Sequence, residues 1–210
     1  MKAFSAHFSK ALLIIFAFTT LISCNSTQIL VTHRDKGEPE EKIHNLLIVT
    51  MSGNRANRMT VEKELAYQLG RRGYKAVAAQ DTKLAGVKPE KDLILEIADN
   101  READGVLLIQ MLSFDTETMY TTTDLRVNTP ASFNFMGTYM NYYATYPPNW
   151  QGVKRSDIVL ETTLYQVKDE KLVLAMKSQN NKVTDLEEFA LSYSKAIAKK
   201  LDSSKFLEPR

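Results

Sequence analysis

The chain has 210 residues, with 27 basic and 25 acidic side chains, and Lys2 and Lys10 carry the whole of that excess. The remainder is electrically balanced, which speaks against a nucleic-acid partner, because phosphate recognition needs a basic face. Cys24 is the single cysteine, so the globular part must hold together without disulfides, and a core of this size suffices for that.

The first element is a leader. Lys2 and Lys10 come with no acid before Cys24, residues 11–22 are nearly all apolar, and the small Ser23 precedes the cysteine. Twelve apolar residues are too few to cross a bilayer core of about 30 Å, so the pattern is that of a secretory signal. The end, Leu21-Ile22-Ser23-Cys24, resembles the lipobox of bacterial lipoproteins. The resemblance implies cleavage before Cys24, a diacylglyceryl group on its sulfur and a fatty acid, such as palmitate, on its new amine. Several acyl chains anchor firmly, since each buried CH₂ contributes about 0.8 kcal/mol and one chain alone is marginal. An Asp after the cysteine would resemble an inner-membrane retention signal of enteric-type lipoprotein sorting, so by that resemblance Asn25 implies the outer membrane. Residues 25–43 (NSTQILVTHRDKGEPEEKI) are mostly polar and read as a flexible tether, about 25 Å as a coil and at most about 65 Å at full stretch. The expected organisation is thus residues 1–23 as signal peptide, 24–43 as lipidated tether, and 44–210 as one periplasm-facing domain.

Residues 44–51 (HNLLIVTM) suit a buried strand. Ser52-Gly53-Asn54 breaks it, and Val61, Leu65 and Leu69, at steps of four, mark a helix with Thr60 as its candidate N-cap. Arg71-Arg72-Gly73 closes that helix. Residues 74–79 read as a second strand, and Pro89 opens a second helix with Leu93, Ile94, Ile97 and Ala98 on its buried side. After an Asp104-Gly105 turn, residues 106–112 (VLLIQML) read as a central strand. The alternation of strands and helices favours parallel pairing with right-handed crossovers. Residues 157–167 and 172–176 then form a hairpin around a charged turn. The last helix carries a stripe of Leu186, Phe189, Ala190, Tyr193, Ile197 and Leu201, with Thr184 and Glu187 at capping-box spacing. The fold expected is α/β (α+β): one mixed sheet of about five or six strands, about three helices, and a C-terminal hairpin followed by the final helix.

Between the halves lies an insertion, residues 113–153. From Val127 to Val153 there are 27 residues without a charge, among them Phe133, Phe135, Tyr139, Tyr142, Tyr143, Tyr146 and Trp150. Pro147 and Pro148 cannot donate to a ladder, so residues 142–150 read as a loop. Two readings stand side by side. The rings pack on the domain's own sheet, or Tyr139, Tyr142, Tyr143, Tyr146 and Trp150 form a partner-binding surface for protein, glycan or lipid.

Motifs of catalysis are absent from the sequence: HExxH, GxSxG and GxxxxGK[ST] do not occur. His33 and His44 have neither a second histidine nor a cysteine beside them, so no metal site is expected. The loop 52–58, between a strand and a helix, is a weak anion site in which Arg55 and Arg58 would supply charge, against the plainer reading of a turn with solvated arginines. Asp157 with Glu161, and Asp115 with Glu117, are carboxylates whose spacing does not by itself bring them together. With no nucleophile–base pair, neither an enzyme nor a cofactor is expected.

The segments LLIVTM, EKELAYQLGRRGYKA, ADGVLLIQ and DIVLETTLYQVKDEKLVLAMKS, in that order, resemble those of small bacterial envelope lipoproteins. Their domain looks like the N-terminal domain of the translocation protein TolB and like the penicillin-binding-protein activator LpoB. The resemblance spans about residues 44–206 and implies a helix-covered mixed sheet engaged in protein contacts within the envelope. It assigns no functional residue. The expected role is a non-catalytic adaptor or accessory protein, held to the membrane by its lipid and contacting an envelope protein. A glycan- or lipid-binding module using residues 133–150 is the alternative.

Overall fold

A computed structural model describes residues 27–34, 41–52, 54–85, 87, 90–115, 156–183 and 185–209. Among them the chain runs β1 (Gln28–Arg34), β2 (Asn45–Met51), α1 (Arg55–Gly70), β3 (Lys75–Ala78), a 3-10 turn (Ala79–Asp81), α2 (Lys91–Asn100), β4 (Gly105–Asp115), β5 (Ser156–Gln166), β6 (Leu172–Val183) and α3 (Leu186–Ser204). The six strands form one mixed sheet in the order β1-β6-β5-β4-β2-β3. β2 pairs parallel with both β3 and β4, whereas β4, β5, β6 and β1 pair antiparallel. The α+β architecture with a terminal hairpin and last helix is the one expected from the pattern.

Alternate residues of β2 explain how the layers form. Leu46 and Ile48 join Leu65, Leu69, Ile197 and Leu201 on the face covered by α1 and α3. Leu47, Val49 and Met51 join Ile94, Ile97 and Ala98 on the face covered by α2. A strand buried on both sides has no polar register, which is why residues 44–51 read as a continuous apolar run. Fully burying one such Leu or Ile contributes about 1.5–3 kcal/mol.

Three local devices place the helices. Asn54, not Thr60, caps α1: its side chain accepts from the N–H of Ala56 at 2.9 Å and of Asn57 at 3.2 Å. The helix therefore begins a turn and a half before the first apolar residue of its stripe. At its far end Gly73 adopts φ +88°, its N–H reaching Gly70 O at 3.0 Å while Tyr74 N–H reaches Leu69 O at 3.1 Å. This double closure needs a left-handed residue, and glycine enters it without strain. α3 is capped by Asp185, which accepts from Glu188 N–H at 2.8 Å. The cap thus lies one residue after the expected Thr184, which falls outside the described residues.

The region expected to be a tether is corrected in part. Gln28–Arg34 is an edge strand, antiparallel to β6 with Gln28 opposite Gln179 and Arg34 opposite Leu174. Leu30 is skipped in the register between Ile29 and Val31, a bulge of the kind that blunts an exposed edge. Ile29 packs against the core on the α1/α3 face. A polar strand at a sheet edge needs only one apolar face, so it is hidden in a composition-based reading. The insertion is shortened as well, since residues 113–115 belong to β4.

Candidate functional site

The antiparallel and parallel registers together define two ends of the sheet. At one end lie Gln28 of β1, the C-terminal ends of β2, β4 and β6, and the first residue of β5. The first turns of α1 and α3 follow β2 and β6 there. At the other end lie the β5–β6 turn, the Arg71–Gly73 closure, and the Asp104 turn. There the Asp104 carboxylate accepts from the N–H groups of His44 and Asn45, and the Asn45 amide donates to the carbonyls of Arg101 and Glu102.

The expected site residues distribute as follows. Cys24, Tyr139, Tyr142, Tyr143, Tyr146 and Trp150 lie outside the described residues. Asp115 stands opposite Asp157 in the β4–β5 register, so the segment containing the tyrosines leaves and re-enters the sheet at the end where Gln28 lies. Arg55 is exposed. Arg58 is not a solvated arginine: it is 4% exposed, and its Nη1 donates to the carbonyl of Val87 at 2.6 Å. His33 and His44 are exposed. Asp157 and Glu161 sit four residues apart along β5, about 14 Å by strand rise, too far to share a proton. Among the described residues, no group of three or more His, Cys, Asp or Glu could hold a metal ion, and no helix is long and apolar enough to cross a membrane.

The sequence pattern missed a buried carboxylate. Glu62 is 0% exposed and accepts from Thr50 N–H and from Gln80 N–H, each at 2.8 Å. It ties the C-terminal end of β2 to the turn that follows β3. Burial pushes its pKa up to about 7, against the lowering effect of the two backbone bonds and of the Arg58 guanidinium. A second buried polar pair crosses the sheet: Gln110 Nε2 donates to Glu161 Oε2, with Lys177 next in register on β6. Nothing in the local spacing marks these polar residues as internal. A narrow apolar cleft, lined among others by Thr50, Met51, Val61, Ile109, Leu160 and Phe189, has room for little more than a water-sized group. Glu62 accepts main-chain donors from β2 and from the turn after β3, and so holds these two parts of the fold together.

No family model matches the chain, and no match was found among curated proteins. Among solved structures it is similar to the PelC dodecamer from Paraburkholderia phytofirmans, with a TM-score of 0.43 and 12% identity over 86% of this chain and 99% of that one. A single-residue variant of that dodecamer gives 0.44 and 13% over the same shares. Lipoprotein GNA1162 from Neisseria meningitidis gives 0.39 and 12%, over 77% of this chain and 99% of that one.

Proposed function

We propose that this chain is a bacterial envelope lipoprotein, anchored through acylated Cys24 in the outer membrane and facing the periplasm, that serves as a non-catalytic adaptor in an envelope assembly. One observation carries the reading: the single cysteine closes an apolar leader at Leu21-Ile22-Ser23-Cys24, and the described fold begins three residues later at Thr27. Exported chains seldom keep one unpaired thiol without a use for it. The described residues support a binding role over catalysis, because their buried carboxylates are consumed by the fold. The uncharged stretch with Tyr139, Tyr142, Tyr143, Tyr146 and Trp150 is the contact surface in this reading, as tyrosine and tryptophan join an apolar body to a polar tip.

Cross-linking in membranes, followed by purification of the lipidated protein, tests the proposal. The expected result is one envelope protein in stoichiometric yield, lost when Tyr142, Tyr143, Tyr146 and Trp150 are replaced by Ser while the circular-dichroism spectrum is retained. Recovery of no stoichiometric partner refutes it. A glycan-binding alternative is separated by sedimentation with purified cell-wall sacculi, where that reading requires the protein to pellet.

A further inference from the structure

The point at which the fold captures the chain after Cys24 decides how the domain stands on the membrane. Thr27 is already part of the folded body. Its N–H donates to Ser192 Oγ of α3 at 2.9 Å, its hydroxyl donates to Asn180 Oδ1 of β6, and that hydroxyl also lies 3.0 Å from Ser192 Oγ. Gln28 then enters the sheet opposite Gln179. Three chain steps separate Thr27 from Cys24, which span at most about 11 Å. A coil of 19 residues would let the domain tumble; three residues do not.

We infer that this short link holds the domain close to the lipid surface. The end of the sheet formed by Gln28, Asn181 and the first turns of α1 and α3 faces the bilayer, and the β5–β6 turn points away from it. This rests on the proposed acylation of Cys24. β5 has 11 residues, so the two ends are about 35 Å apart. Charge is distributed in keeping with this placement. The distal end exposes Lys168, Asp169, Arg71, Arg101 and Glu102 to water. Among the described residues of the proximal end, the exposed side chains include the uncharged Gln28, Ala56 and Asn181, together with Arg55, Asp185, Glu187 and Glu188. In this inference the short covalent link sets the orientation. A protein partner then meets the charged distal end only if it reaches about 35 Å or more from the membrane, whereas a membrane-embedded partner meets the proximal end.

The test uses the full-length lipidated protein in vesicles of phosphatidylethanolamine and phosphatidylglycerol doped with a headgroup-nitroxide phosphatidylcholine. Because Cys24 is the single native cysteine and its sulfur is occupied by lipid, an introduced cysteine is a unique site for a fluorophore. Probes at Asn181→Cys and Ala56→Cys should be quenched several-fold more strongly than probes at Asp169→Cys and Arg71→Cys, and the difference should persist when phosphatidylglycerol is omitted. Inserting about twelve Gly/Ser residues after Asn25 should bring the proximal values down toward the distal ones. Equal quenching at both ends, or no effect of the spacer, overturns the orientation while leaving the anchor in place. Mass spectrometry of the same sample separates the two ideas: a mature N-terminus without the diacylglyceryl mass overturns the anchor and the orientation with it.

Discussion

Glu62 makes stability fall as pH rises from about 4.5 to about 7. Its carboxyl has an ordinary pKa of 4.5 in the unfolded chain and about 7 in the fold, raised by burial. Between those values the folded state holds a proton that the unfolded state has released, and stability therefore declines as pH rises through the window. A separation of this size corresponds to about 3 kcal/mol in all, with about 2.5 kcal/mol of it falling between pH 5 and pH 8. That is a large share of a typical domain's stability of about 5–15 kcal/mol. Glu62→Gln removes the titration. It also presents an amide N–H₂ to one of the two main-chain donors of Thr50 and Gln80, so the variant starts lower by about 1–3 kcal/mol for the unpaired group. The assay is urea unfolding followed by far-ultraviolet circular dichroism across this pH range. The wild-type curve, taken relative to Glu62→Gln, should descend by about 2.5 kcal/mol from pH 5 to pH 8 and change little with added salt. A difference that is flat with pH, or that rises, refutes the account of Glu62 as a carboxylate ionised at a cost.

Other consequences can be measured by the same unfolding assay. A Cβ at Gly105 would stand 2.6 Å from Ile43 Cγ2 and 3.1 Å from Leu46 Cδ1, so Gly105→Ala should destabilise by about 1–3 kcal/mol through overpacking; an unchanged urea midpoint would contradict the tight approach of β4 to Ile43. Tyr193 and Thr162 share a buried hydrogen bond of 2.6 Å between α3 and β5, and burial pushes the tyrosine hydroxyl well above its usual pKa. Tyr193→Phe alone should cost about 1–3 kcal/mol because it leaves the threonine hydroxyl unpaired, and combining it with Thr162→Val should cost less than the two singles together. Strict additivity would show that the bond contributes nothing. Asn54→Ala should lower stability by about 1 kcal/mol through loss of the α1 cap, with Thr60→Ala the smaller of the two effects; the reverse order would restore Thr60 as the helix start.

The run from β2 to β4 was legible because each of its elements carries its own signal. Val61, Leu65 and Leu69 fall on one helical face, and Ile94, Ile97 and Ala98 on another, whatever lies opposite them. The hairpin of β5 and β6 and the stripe of α3 were legible for the same reason. Caps were less so. Asn54 and Thr60 are both acceptable capping residues, and only the hydrogen bonds to Ala56 and Asn57 decide between them. Asp185 displaced Thr184 by the same kind of margin. Arg58 was read as solvated and nothing marked Glu62 as internal, because periodicity counts a charged residue as polar and cannot tell that Val87, β2 and the turn after β3 supply partners for it.

What the sequence determined by itself was the class of the fold and the order of its helices and strands from β2 onward, which follow from local periodicity and composition. Tertiary structure alone decided that residues 28–34 form a strand, since an edge strand exists only through its register with β6, some 150 residues further on. It also decided that a carboxylate belongs inside, since main-chain donors from β2 and from the turn after β3 converge on Glu62 only once β2 and β3 are paired.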